Sequence, residues 1–323
     1  MIRLITESHQ ACSTIRVMSI SHFIKEIGRG KQGARDLTRE QAAELMGLVL
    51  DGAVPDLQLG AFCIAMRVKG ETAQEMAGFL DALDSRLQRI PNDNAAPVVV
   101  VPSYNGARRL PLFTPLLAIL LSAQGVRVLV HGGNTEDSRV STEDVMHELG
   151  LACLTSLRAL TGSEVVFVPA ELLSPGLWRL LQVRRSLGLR NSAHSLVKMM
   201  NPVDGPALLV ASYTHREYET SMTDTLQLMQ ANAMLLRGTE GEPVADPRRL
   251  RKSVLLQAGL LFAENDPQDT LSADSMAYPG GLKAGQTADY IRSLLAQPER
   301  IPAPIQAQVK QLCELAHQIS ITP

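Results

Sequence analysis

The sequence predicts an α/β protein: a small helical N-terminal domain followed by a large domain built on a mainly parallel central sheet. Three observations carry this. From Ser21 to Arg89 the pattern is helical throughout, with apolar residues at three- and four-residue steps in Ala42–Leu50, Leu57–Val68 and Met76–Leu87. After residue 97 short aliphatic runs near Val98, Val128, Val165, Leu208 and Met234 alternate with helical stretches, as in a parallel sheet. Between the two regimes, Pro91-Asn-Asp-Asn-Ala-Ala-Pro97 has the composition of a linker. The expected organisation is an N-terminal extension over 1–18, a helical domain over 19–90, a linker over 91–97, and an α/β domain over 98–323 ending in a helical segment.

Along the chain, Lys69-Gly-Glu-Thr72 breaks the helical region and restarts it. Thr72 is the expected N-cap, and Glu75 at the third helical position completes a capping box. Val98 to Val101, β-branched and without alternation, suits a strand buried on both faces. Thr114-Pro115 reads as a helix start, a capping hydroxyl followed by proline at the first helical position. The segment 103–109 and the segment 131–142 each leave a strand's carboxyl end, where open α/β sheets bind ligands. Their glycines and basic residues suit an anion, because helix amides and the helix dipole point towards it. Beyond Ser253 the pattern weakens to a Gly/Pro loop, Tyr278–Lys283, and two short amphipathic helices.

With 45% apolar and 20% charged residues, the chain has the profile of a soluble globular protein of 323 residues. A net charge of -2 excludes a globally basic polyanion binder, so any such surface must be a local patch. Cys12, Cys63, Cys153 and Cys313 have neither zinc-ligand nor redox spacing and read as thiols of a reducing cytoplasm. No apolar run approaches the ~20 residues of a membrane helix. The first 17 residues lack a signal-peptide core, and Met18 is a candidate start. A cytoplasmic protein with no membrane partner is expected.

Several motifs carry a family resemblance. Met66-Arg-Val-Lys-Gly-Glu-Thr-Ala-Gln-Glu-Met-Ala-Gly78 resembles the helical-domain signature of anthranilate phosphoribosyltransferases. His131-Gly132-Gly-Asn134, followed by Arg139-Val-Ser141-Thr142, is similar to their phosphate loop and its trailing serines. Arg184-Arg185-Ser-Leu-Gly-Leu-Arg190, running on to Asn201-Pro202, resembles the helix that faces the aromatic substrate. The resemblance spans about Ile20 to about Pro247 and implies the fold shared with nucleoside phosphorylases, usually dimerised through the helical domain.

The departures are as informative. The family's glycine-rich pyrophosphate loop aligns with Pro102-Ser103-Tyr104-Asn105-Gly106, where proline has no amide hydrogen and tyrosine fills space. The family's magnesium-binding Asp-Glu pair aligns with Pro243-Val244, which offers no oxygen side chain for a hard cation. Val197-Lys198 stands where the family has Gly-Pro, and Ala193-His194 where it has Phe-Asn. No metal, cofactor or catalytic residue is therefore expected.

Cations gather instead. Arg108 and Arg109 follow the altered loop, and Arg139, Arg184, Arg185, Arg190 and Lys198 belong to segments lining the same crevice in the family. Lys31 and Arg35 stand in a basic stretch over 25–39, and Arg248 and Arg249 in another over 248–252. His131 and Asn134 either satisfy loop amides or bind phosphate; Tyr104 is placed to stack on a base. Together with Ile27-Gly-Arg-Gly-Lys31 and Arg190-Asn-Ser-Ala-His194, these features resemble a non-tryptophan branch of the family described as nucleic-acid binding. That resemblance implies a homodimer gripping single- and double-stranded nucleic acid without sequence preference. The alternative is a glycosyltransferase of the phosphoribosyltransferase type, using magnesium and phosphoribosyl pyrophosphate on an unknown acceptor.

Overall fold

The structure, a computed structural model, describes residues 18–30, 32–265 and 278–321. The expected N-terminal extension up to residue 17, and Lys31, lie outside these residues. Helices α1 (Ser21–Ile27), α2 (Arg39–Leu50), α3 (Asp56–Lys69) and α4 (Ala73–Asp84) form the helical bundle. The capping box at Thr72 is present, and its Glu75 is fully buried. The Glu75 carboxylate accepts from Lys69 Nζ at 2.7 Å and from the amides of Leu37 and Thr72, both at 2.9 Å. A buried charge needs such partners. Gly78 lets α4 cross α2 closely: a Cβ there would sit 2.2 Å from the carbonyl oxygen of Arg39.

The remaining chain runs β1 (Ile90–Pro91), β2 (Val98–Ser103), α5 (Thr114–Ala123), β3 (Val128–Gly132), α6 (Thr142–Glu148), β4 (Ala152–Cys153) and β5 (Val165–Pro169). It continues through α7 (Ala170–Leu173), α8 (Pro175–Leu187), α9 (Ala193–Leu196), β6 (Val203–Asp204), β7 (Ala207–Tyr213), α10 (Glu217–Leu228) and β8 (Ala233–Arg237). It ends with β9 (Ser253–Gln257), β10 (Leu260–Asn265), α11 (Ala284–Ala296) and α12 (Ala303–Ile321). The main sheet has the order β10-β9-β8-β7-β2-β3-β5-β4. It is parallel from β8 to β4, and β9 and β10 extend it as antiparallel strands. All five expected strands are therefore in the sheet. β1 pairs with β6 outside it, which ties the segment after the bundle to the α/β domain.

Strand periodicity explains the core. Val98 and Val100 of β2 face the core shared with the bundle, while Val99 and Val101 face the core under α5, α11 and α12. Since β2 lies between β3 and β7, the chain leaves it in opposite directions at this point of the sheet. That is the switch point at which a crevice opens beyond the strands' carboxyl ends.

Two local expectations change. Thr114 is not the N-cap of α5: Phe113 is, and the Thr114 hydroxyl donates instead to Glu242 Oε2 at 2.9 Å. After Ser253 the chain forms the β9–β10 hairpin, followed by helices of 13 and 19 residues rather than two short ones. Among the described residues no helix is long and apolar enough to cross a membrane.

Candidate functional site

The loop after β2 is an anion cradle filled from within. Glu242 is 1% exposed, and its carboxylate accepts from the amides of Asn105 and Gly106, both at 2.8 Å. Ser103 Oγ and Thr114 Oγ1 donate to its other oxygen. Glu240 does the same one turn further on. It accepts from the amides of Arg108 at 2.9 Å and Arg109 at 3.1 Å. The carboxylates thus take the amides that a phosphate would use. Gly241, between them, has φ +89, and a Cβ there would meet Asn105 Nδ2 at 1.6 Å, so only glycine lets the two glutamates reach over. Val244, which follows the two glutamates, is buried. Glu240 and Glu242 thus occupy the loop amides, and the side chains of Pro243 and Val244 offer no oxygen to a cation.

Other loop residues are structural. Tyr104 is 5% exposed and packed in the core, its hydroxyl 2.7 Å from His131 Nδ1, so it has no free face for stacking on a base. His131 is fully buried, with Nε2 3.2 Å from the Met200 carbonyl; burial lowers its pKa to about 3. It is neutral and out of reach of a phosphate. The Asn134 side chain accepts from the Glu136 amide in a local turn, and Gly132 lies so close to β2 that a Cβ would meet Ser103 O at 2.1 Å. Ser141 caps α6, and Thr142 Oγ1 sits 2.5 Å from Ser103 Oγ.

The cations divide by partner. Arg139 and Arg184 both contact Glu136, at 3.1 Å and 2.9 Å, and Arg190 approaches the same oxygen only to 4.0 Å. Three guanidinium groups on one carboxylate leave a local surplus of positive charge. Arg185 is paired with Asp137 at 2.7 Å. Arg248, Arg249 and Arg251 all surround Asp246, at 2.9, 3.5 and 3.4 Å. That stretch is therefore less free than the sequence suggested, since its acid stands just ahead of it. Lys252 joins Glu219 at 2.9 Å, and Arg35 reaches Glu26 at 3.5 Å. Arg108 and Arg109 are exposed, and their backbone amides are the ones that Glu240 holds.

Between the bundle and the α/β domain lies a cavity of about 580 Å³. Arg67 of α3 enters it and donates to the Arg190 carbonyl at 3.1 Å. Lys198 is buried there and donates to the Gly241 carbonyl at 2.9 Å; burial brings its pKa down to about 8. His194 is 7% exposed, with Nδ1 3.3 Å from the Asn191 amide and Nε2 without a partner. Burial, then Arg190 and Arg184, lower its pKa to about 3. Burial raises the Glu71 carboxyl above its usual range, although Ser192 Oγ donates to it. Tyr218 and His215 form a tilted pair 6.5 Å apart on the wall.

Sequence reasoning missed Glu240, Glu242, Arg67, His215 and Tyr218. The motif Glu240-Gly-Glu242 was visible, but the amides that its carboxylates hold lie more than 130 residues earlier in the chain.

The family model for the glycosyl transferase family, helical bundle domain, matches residues 21–86. YbiB of Escherichia coli (strain K12), itself uncharacterised, is 38% identical over 298 residues, covering 90% of this chain and 92% of that protein. The anthranilate phosphoribosyltransferase of Methylocella silvestris is 28% identical over 284 residues, covering 86% and 80%. Among solved structures, anthranilate phosphoribosyltransferase from Thermus thermophilus aligns with TM-score 0.70 at 20% identity, over 92% of this chain and 93% of that one. The Saccharomyces cerevisiae enzyme in complex with PRPP and Mg gives TM-score 0.69 at 14% identity, over 92% and 88%. At those identities the structural likeness speaks for the fold, and the sequence relatives speak for kinship. The chain belongs to the anthranilate phosphoribosyltransferase-like family.

Proposed function

We propose that this protein binds nucleic acid through its phosphate backbone, without sequence preference, on a phosphoribosyltransferase scaffold that no longer takes the pyrophosphate donor. The observation that carries the reading is the occupancy of the loop after β2: Glu240 and Glu242 hold the amides that the donor's phosphates would need. A ligand with a pyrophosphate would have to expel a fully buried carboxylate and leave it unpaired, an outcome that costs several kcal/mol. An excess of cations stands there instead: Arg108 and Arg109 follow the filled loop, and Arg139, Arg184 and Arg190 share the single Glu136. Such a patch on a chain of net charge -2 attracts a polyanion locally while the remaining surface repels it.

The test is fluorescence anisotropy of labelled single- and double-stranded DNA at several salt concentrations. The logarithm of the affinity should fall by about 0.9 per phosphate neutralised on duplex and about 0.7 on single strands, for each unit of log salt. Arg108→Glu with Arg109→Glu should weaken binding to every sequence alike. Binding that ignores salt, or a loss confined to particular sequences, would contradict backbone contact.

A second reading, a transferase of the anthranilate phosphoribosyltransferase type with another acceptor, draws on the comparisons, which favour it by name: the Methylocella relative and the Thermus and Saccharomyces neighbours are all such enzymes. It requires magnesium-dependent binding of phosphoribosyl pyrophosphate, measurable by calorimetry on the same protein. Tight binding would install this reading in place of the first.

A further inference from the structure

We propose that the cavity between the bundle and the α/β domain binds a single nucleotide. Its phosphate would lie on Arg67, Arg190, His194 and Lys198, and its base against Tyr218 and His215. The size fits, since small-molecule sites commonly span about 300–1,000 Å³, and this cavity holds about 580 Å³. The lining supplies two chemistries in one enclosure. On one side, Arg190 is a half-buried guanidinium 4.0 Å from the Glu136 carboxylate, and the exposed Arg67 donates to its backbone carbonyl at 3.1 Å. On the other, Tyr218 and His215 present rings at 50° to each other, a surface on which a base can stack.

His194 is the independent pointer to a ligand. It lines the cavity, is nine-tenths buried, and leaves Nε2 without a partner, although buried polar atoms are nearly always satisfied. Nδ1 lies 3.3 Å from the amide, the carbonyl and the side-chain oxygen of Asn191; in the tautomer in which it accepts from the amide, Nε2 carries the proton and would donate it to a phosphate oxygen. Lys198 has three hydrogens and donates one to the Gly241 carbonyl, so it can add a further charged donor. Glu217 and Glu71 also line the cavity. The Glu71 carboxyl, held above its usual range by burial, offers less repulsion than a free carboxylate.

The same chemistry is offered by a free mononucleotide and by the terminal or unpaired nucleotide of a strand. The nucleic-acid reading above bears only on that choice of source. Calorimetry of the full chain with adenosine 5′-monophosphate, adenosine and inorganic phosphate tests the site itself. The expected result is that the mononucleotide binds at least about tenfold more tightly than adenosine. Arg190→Gln and, separately, Tyr218→Ala should each weaken the mononucleotide by roughly tenfold, and the two changes touch opposite ends of the ligand. Competition between 5′-phosphorylated and 5′-hydroxyl single strands then decides the source: preference for the phosphorylated strand favours a strand end, and equal competition a free nucleotide. Equal binding of adenosine and its monophosphate, or no binding of either at millimolar concentration, would overturn the proposal. So would unchanged affinity in both variants. Salt-steep duplex binding without mononucleotide binding would remove this inference alone, whereas mononucleotide binding without duplex binding would remove the nucleic-acid reading and leave the site standing.

Discussion

Glu242 holds with a side chain the donors that, on the function proposed above, a ligand's phosphate would otherwise take. Its two oxygens collect two amides and two hydroxyls, the donor set that a phosphate would find there, and its buried position makes the substitution permanent. Glu242→Ala should therefore destabilise the protein by about 3 kcal/mol or more, since each unsatisfied buried donor costs about 1–3 kcal/mol. The vacated loop should then accept an anion from solution. Thermal unfolding with and without inorganic pyrophosphate checks this: the variant's midpoint should rise with pyrophosphate while the wild type's stays. An equal response would mean that the loop is no cradle. The sequence announced the loss of glycines at this loop but not its replacement, because nothing local links Glu242 to Asn105. Tyr104 misled for a related reason. It follows a strand's end, where side chains commonly reach solvent, yet it packs inward on His131. Its environment is set by β3, not by its neighbours in the chain.

At the scale of elements, legibility followed the range of the contacts. The capping box at Thr72 and Glu75 is a three-residue device and was readable in full. The β9–β10 hairpin was not, since its turn uses Ala258 and Gly259, both with positive φ, rather than the Asn-Gly or Asp-Gly pair that signals such a turn. Its strands, Val254-Leu-Leu256 and Leu260-Leu-Phe262, also lack the alternation that marks a half-buried strand. Gly78 shows what a helical glycine can mean. It stands mid-helix, where glycine is unfavourable by about 1 kcal/mol against alanine, yet α2 approaches so closely that alanine has no room. Gly78→Ala should lower stability by about 1–3 kcal/mol through overpacking, despite its better helix propensity. Urea denaturation of Gly78→Ala measures this, and a stabilised variant would show that the helices can part without cost.

The whole molecule joins a near-neutral charge to a cationic crevice, and the bundle's outer side offers a way to enlarge it. Helix α3 exposes Leu57, Ala61, Ile64 and Val68, spaced by four, three and four residues and so on one stripe; Leu57 is 86% and Val68 54% exposed. Inward-facing Phe62, Cys63 and Met66 already supply the helix's share of the core, so the stripe is additional apolar surface. A second copy of this chain is the occupant we propose, in keeping with the homodimer that the sequence resemblance implies. Sedimentation should give a dimer for the wild type and a monomer for Leu57→Glu with Val68→Glu, with unchanged circular dichroism, since both side chains lie outside the core. The consequence for binding follows from counterion release. A dimer that sets two crevices on one duplex neutralises about twice the phosphates, so the monomeric variant should lose about half the salt slope on long duplex and little of it on a short one. A monomeric wild type would remove both the dimer and the shared groove. A dimer whose disruption leaves the slope on long duplex intact would keep the interface but separate it from nucleic-acid binding.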